Sequence, residues 1–227
     1  MGANATANIF VEHESEENFM ATYAFVEFHI PEASKLADLT GIRHDLESAR
    51  TLATELKVLL EDLLQHGKAN SNILDALTTA TLIRYFRPFS KGIRRRLDIS
   101  EIGTITPLLH KKHEHLRAFR NKYLAHSVNA YEQNRPVARY VEERMDTEGV
   151  NAVECHHTRV IAMSPQEVDD AIELTTCILR YLDDIIETEK KHVLEKIRLV
   201  PIRELLSKEK GLTYDPRKVD INKTRSK

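Results

Sequence analysis

Two cysteines in 227 residues, Cys155 and Cys177, are too few for a disulfide framework and stand at no metal-ligand spacing. They read as reduced thiols and place the chain in the cytoplasm. Seven glycines and seven prolines are few for a β-sandwich or a disordered chain of this length. No apolar run reaches the ~18 residues of a membrane-spanning helix, and no basic stretch followed by an apolar one marks a signal peptide. Met1-Gly2-Ala3-Asn4-Ala5-Thr6 fits the N-acylation pattern, but no polybasic second signal follows it. A net charge of −2 gives no global attraction for nucleic acid.

What is present is helical pattern and local charge. At 41% hydrophobic and 30% charged, the chain can bury a core and reads as a helix-rich soluble protein. Residues 1–30 are apolar and aromatic with mixed period, and are expected to form an N-terminal extension with a short helix packed on the core. From Pro31 to about Gln65, Leu46, Ala49, Leu52, Ala53, Leu56, Leu59, Leu60, Leu63 and Leu64 recur at three- and four-residue steps, which predicts a helix. Gly41 is expected to break or kink it, and Gly67 to end it. Asn70, Ser71 or Asn72 caps a second helix that stops near Phe86, before Pro88. Thr106 and Pro107 open a third.

Beyond the third helix the period changes. Residues 135–141 and 153–163 are short, β-branched and separated by Asp146, Gly149 and Asn151, the pattern of a hairpin or extended arm spanning about residues 133–163. Ser164-Pro165-Gln166-Glu167 is a capping box and opens a last helix to about Lys208, with a kink before Pro201. Residues 209–227 form a basic flexible tail. The expected fold is all-α: a four-helix up-down bundle over 31–208, with the hairpin inserted between helices three and four.

The third helix closes on Arg120-Asn121-Lys122-Tyr123-Leu124-Ala125-His126. An arginine grips a phosphate through two parallel hydrogen bonds, and a histidine exchanges protons near neutral pH. At 100° per residue the two fall about 120° apart, on either flank of the apolar stripe. The simplest account is that positive side chains offset the negative end of a helix dipole.

Residues Phe119 to Ser127, FRNKYLAHS, resemble the signature of the HEPN superfamily, an arginine followed by a polar residue and then a histidine at the end of the third helix of a four-helix bundle. The hairpin ahead of a long last helix is similar to the abortive-infection branch. The resemblance is specific over about ten residues and architectural over residues 40–205. It implies a metal-independent endoribonuclease that acts as a homodimer, with Arg120, Asn121 and His126 catalytic, no cofactor and no metal. It also implies a toxin or phage-defence effector with RNA as substrate and an antitoxin protein as partner. Val128 stands where members regulated by a nucleotidyltransferase carry tyrosine, so adenylylation there is not expected. The alternative is a non-catalytic helical interaction module or a nucleotide- or RNA-binding one.

Arg117 and Lys122 flank the motif and are candidate RNA contacts, as are Arg94, Arg95 and Arg96 in the acid-free run from Arg84 to Arg96. That run reads equally as a solvated loop paired with acids elsewhere. His110, His113 and His115 with Glu114 lack the H-E-x-x-H spacing of a zinc helix and read as a solvated basic face.

Overall fold

A computed structural model describes residue 28 and residues 30–92, 95–125, 132–144 and 149–207. The expected N-terminal helix, the basic tail, Arg94 and His126 lie outside them. The described chain is mostly helical with one small antiparallel hairpin. Its elements are α1 (Ala33–His66), α2 (Ser71–Phe86), α3 (Pro107–Ala125), β1 (Glu132–Tyr140), β2 (Val150–Arg159), α4 (Pro165–Ile197) and α5 (Ile202–Ser207). No helix among the described residues is long and apolar enough to cross a membrane.

The helix ends follow from local chemistry. Gly67 takes a φ of +68° after α1, the left-handed turn that glycine adopts without strain. Asn70 caps α2 by accepting from the backbone N–H groups of Asn72 and Ile73. Thr106 Oγ1 accepts from Leu109 N at the start of α3. Ser164 and Glu167 form a reciprocal capping box: Ser164 N donates to Glu167 Oε2 at 2.7 Å, and Glu167 N donates to Ser164 Oγ at 3.3 Å.

Three expectations are corrected. Gly41 neither breaks nor kinks α1, which runs through it; the neighbouring Leu39, Ile42 and Leu46 are buried, and their packing outweighs the ~1 kcal/mol that a helical glycine costs. The last long helix ends at Ile197, and a turn separates it from the six-residue α5. The hairpin also ends earlier than expected, with β2 closing at Arg159.

The chain divides into two compact units, one formed by residues 35–190 and the other by the two ends, 1–34 and 191–227. In the terminal unit, the turn after α4 and the short α5 leave Leu199, Ile202 and Leu206 exposed. The larger unit holds the core and the candidate site.

Within the larger unit, side-chain pairs fix the helix directions. Arg43 Nε binds Asp183 Oδ1 and Lys57 Nζ binds Asp169 Oδ1, each at 2.7 Å. An advance along α1 is thus matched by an equal retreat along α4. Between α2 and α3, Asp75 meets Tyr123 and Tyr85 meets His113, again antiparallel. Lys112 reaches Asp170 and Glu173 while His115 reaches Glu167, so α3 runs against α4. Leu46, Leu56, Leu74, Leu82, Leu116, Leu174, Ile178 and Leu182 fill the space between them. Each such side chain contributes roughly 1.5–3 kcal/mol by leaving water.

The ribbon differs from the helices. Its strands pair in register from Glu132↔Arg159 to Arg139↔Ala152. Only Glu132, Val137 and Ala152 are even partly covered; every other strand residue is exposed, on both faces. It is an arm rather than a core element.

Candidate functional site

Arg120 stands on the last turns of α3, whose apolar face seats the helix. Leu109, Leu116 and Phe119 are buried, and the rings of Phe119 and Tyr123 stack 5.3 Å apart. Arg120 itself is half-buried. One η-nitrogen donates to Asn121 Oδ1 at 3.1 Å. Its Nε is buried and has no hydrogen-bond partner among the described residues.

That arginine is unlike most of the cations around it. Arg43, Lys57, Arg84, Arg87, Lys112, Arg117 and Arg159 each bind a carboxylate. Arg120 binds none among the described residues. A guanidinium with spare donors, held in place by a neutral amide, keeps its charge available to an anion.

One helical turn further on, a cavity of about 160 Å³ opens beside the motif, lined by Asp75, Thr79, Tyr123, Leu124, Glu132, Arg159 and Val160. Tyr123 donates its hydroxyl to Asp75 Oδ1 and lies 3.1 Å from the Ile161 carbonyl oxygen. Burial and the Asp75 carboxylate both push the Tyr123 phenol well above its usual range, so it stays protonated and donating. The second Asp75 oxygen accepts from Arg159 Nη2 at 2.9 Å. These bonds tie α2, the end of α3 and the base of the ribbon together.

A second polar chain crosses the α2–α3 seam. Tyr85 Oη lies 2.7 Å from His113 Nδ1, and Arg117 Nη2 lies 2.9 Å from His113 Nε2. A guanidinium only donates, so Nε2 must accept, and the proton therefore sits on Nδ1 and is donated to Tyr85. Burial first, then the Arg117 charge, lower His113 to about 4. The rings of Tyr85, Phe86 and Phe89 surround it, the closest with its centroid 4.7 Å away. The expected solvated face is therefore wrong for His113, which is fully buried. It holds for His115, which is exposed and paired with Glu167.

The other sequence-singled residues are scattered. Arg117 is half-exposed and directed to His113 and Glu114. Asn121 and Lys122 are exposed on the last turn of α3. In the basic run, Arg84 and Arg87 both bind the buried Asp45, whereas Arg95 and Arg96 are exposed. The Arg95 backbone N–H, not its guanidinium, binds Asp38. Among the described residues no three His, Cys, Asp or Glu side chains are grouped to hold a metal ion.

Sequence reading overlooked Asp75, Thr79, Glu132 and Arg159. Asp75 did carry a signal, since it is the one acid in α2. No family model, curated protein or solved structure matches this chain.

Proposed function

We propose that this chain is a metal-independent endoribonuclease of HEPN type, acting as a homodimer whose bundle joins the Arg120–His126 motifs of two protomers. The observation that carries the reading is the Arg120 guanidinium, near the end of α3, bound to no described carboxylate and steadied by Asn121. The order of the long helices, alternating in direction with a ribbon ahead of the fourth, agrees with it. The toxin or phage-defence setting, with an antitoxin as protein partner, follows from the resemblance of FRNKYLAHS alone.

The chemistry balances with these groups. One His126 takes the proton of a ribose 2′-hydroxyl as its oxygen attacks the adjacent phosphorus. A second His126, from the other protomer, gives a proton to the departing 5′-oxygen. Arg120 offsets the charge that builds on the phosphate oxygens. The products are a 2′,3′-cyclic phosphate and a 5′-hydroxyl end.

The test is purified protein incubated with RNA in the presence of chelator. Wild type is expected to cut and to leave cyclic-phosphate ends, and Arg120→Ala and His126→Ala each to lose about 10²-fold or more in rate. If wild type leaves RNA intact, or His126→Ala cuts equally well, the enzyme reading is wrong; intact RNA would leave a non-catalytic binding module.

A further inference from the structure

Glu132 and Arg159 are directly opposite one another in the ribbon, the first register pair at its base. Opposite charges so placed usually pair across the strands. Here they do not. Arg159 turns to Asp75, at 2.9 Å. Glu132 has one ion-pair neighbour among the described residues, His157 Nδ1, which lies 4.0 Å away and binds Asn134 Oδ1 at 2.7 Å. A distance of 4.0 Å is beyond hydrogen-bond reach. The carboxylate of Glu132 is left with open acceptors on the wall of the cavity beside the motif.

We infer that this cavity is a base-recognition pocket that takes a guanine of the bound RNA, with Glu132 reading its N1–H and N2–H edge and Arg159 its O6 and N7. This rests on the ribonuclease reading and names the base that reading leaves open. Phosphate is a poor occupant, because two carboxylates, Asp75 and Glu132, line the walls. A planar ring with both donors and acceptors suits them. A carboxylate offers two acceptors and no donor. Of the four bases, only guanine presents two adjacent donors on its pairing edge. Adenine and cytosine would set a ring-nitrogen lone pair against one carboxylate oxygen, and uracil a carbonyl. Guanidinium to O6 and N7 is the common complement on the other edge. The Arg159 fork has five N–H groups and spends one on Asp75.

Position agrees with chemistry. Leu124, on the cavity wall, is four residues past Arg120, so the two share a helix face at a Cβ separation of about 5–6 Å. Single-stranded RNA is read in this way, by splayed bases bonded along their edges.

The experiment uses the full chain and short 2′-O-methyl oligomers, UUGUU and its A, C, U and inosine counterparts, which cannot be cut through the 2′-oxygen. Titration calorimetry is expected to show UUGUU binding at least tenfold tighter than the others, inosine included, since inosine lacks the N2 donors. Glu132→Gln, which exchanges one acceptor for a donor, should erase that preference while keeping the wild-type circular dichroism. Arg120→Ala should keep it. Equal binding of all five oligomers, or a guanine preference unchanged in Glu132→Gln, would overturn the inference. Preference for free guanosine over the other nucleosides without preference among oligomers would overturn RNA as the source of the base. None of these readouts needs RNA to be cut, so a failure of cleavage and a failure of this pocket are told apart.

Discussion

His113 carries its proton on Nδ1 because both of its partners are fixed: Arg117 can only donate, and Tyr85 can accept. In the unfolded chain such a ring protonates near 6.5, whereas in the fold it does so near 4. Between these values the unfolded state holds a proton that the native state does not, so stability rises with pH across that window. The contribution is complete above the upper value and fades toward the lower one. His110, one turn back on the same helix, adds to the depression. At pH 4.5 the loss from this ring should amount to about 2 kcal/mol relative to pH 7. Urea unfolding of wild type and His113→Phe at both values checks this. The variant should be weaker at pH 7, through loss of two hydrogen bonds, yet fall less on acidification. Equal falls would show that the acid sensitivity lies elsewhere.

At the scale of elements, the ribbon should matter little to stability. It buries almost nothing, with Val153 74% and Val150 62% exposed. A hairpin of this kind is marginal by itself and persists here through its base, where Arg159 and the Ile161 carbonyl engage Asp75 and Tyr123. Replacing residues 138–153 with Asn-Gly keeps Glu132 to Val137 paired and supplies a tight turn. The shortened protein should unfold within about 1 kcal/mol of wild type, as measured by denaturant midpoint. A large loss would mean that the arm braces the helices.

The elements also show what can be read from sequence. Asn70, Thr106 and the Ser164–Glu167 box were legible because a cap is chemistry between residues two or three apart. Gly41 was misread because local propensity competes there with burial of Leu39 and Ile42, which no local signal weighs. His113 was misread for a related reason. Its surroundings, His-Lys-Lys-His-Glu-His, look solvated, and only the facing Tyr85, Phe86 and Phe89 make the position a core one. Arg120 was legible as a motif residue, whereas the cavity beside it joins three elements distant in sequence and is invisible until they pack.

For the whole molecule, the proposed reaction demands more than one chain supplies. One protomer carries one Arg120–His126 pair, while the cleavage needs a base and an acid. Sedimentation equilibrium should therefore give a mass near twice 26.1 kDa at working concentrations. Specific activity should fall on dilution as the pairs separate. A strictly monomeric protein that still cuts RNA would remove the composite site and leave a single His126 acting in both steps.

The two tyrosine bonds between α2 and α3 have a mechanical consequence. Tyr85 of α2 reaches His113 on α3, and Tyr123 of α3 reaches back to Asp75 on α2, so the seam is bolted at two points facing opposite ways. A helix is a screw: a slip of one residue advances it 1.5 Å and turns it 100°. Neither bolt survives such a slip. Arg120 lies on the length of thread between them, and its bearing is set in part by the Tyr85–His113 bolt, which lines no part of the cavity. Loosening Tyr85, well outside the motif, would be felt as a misaimed arginine.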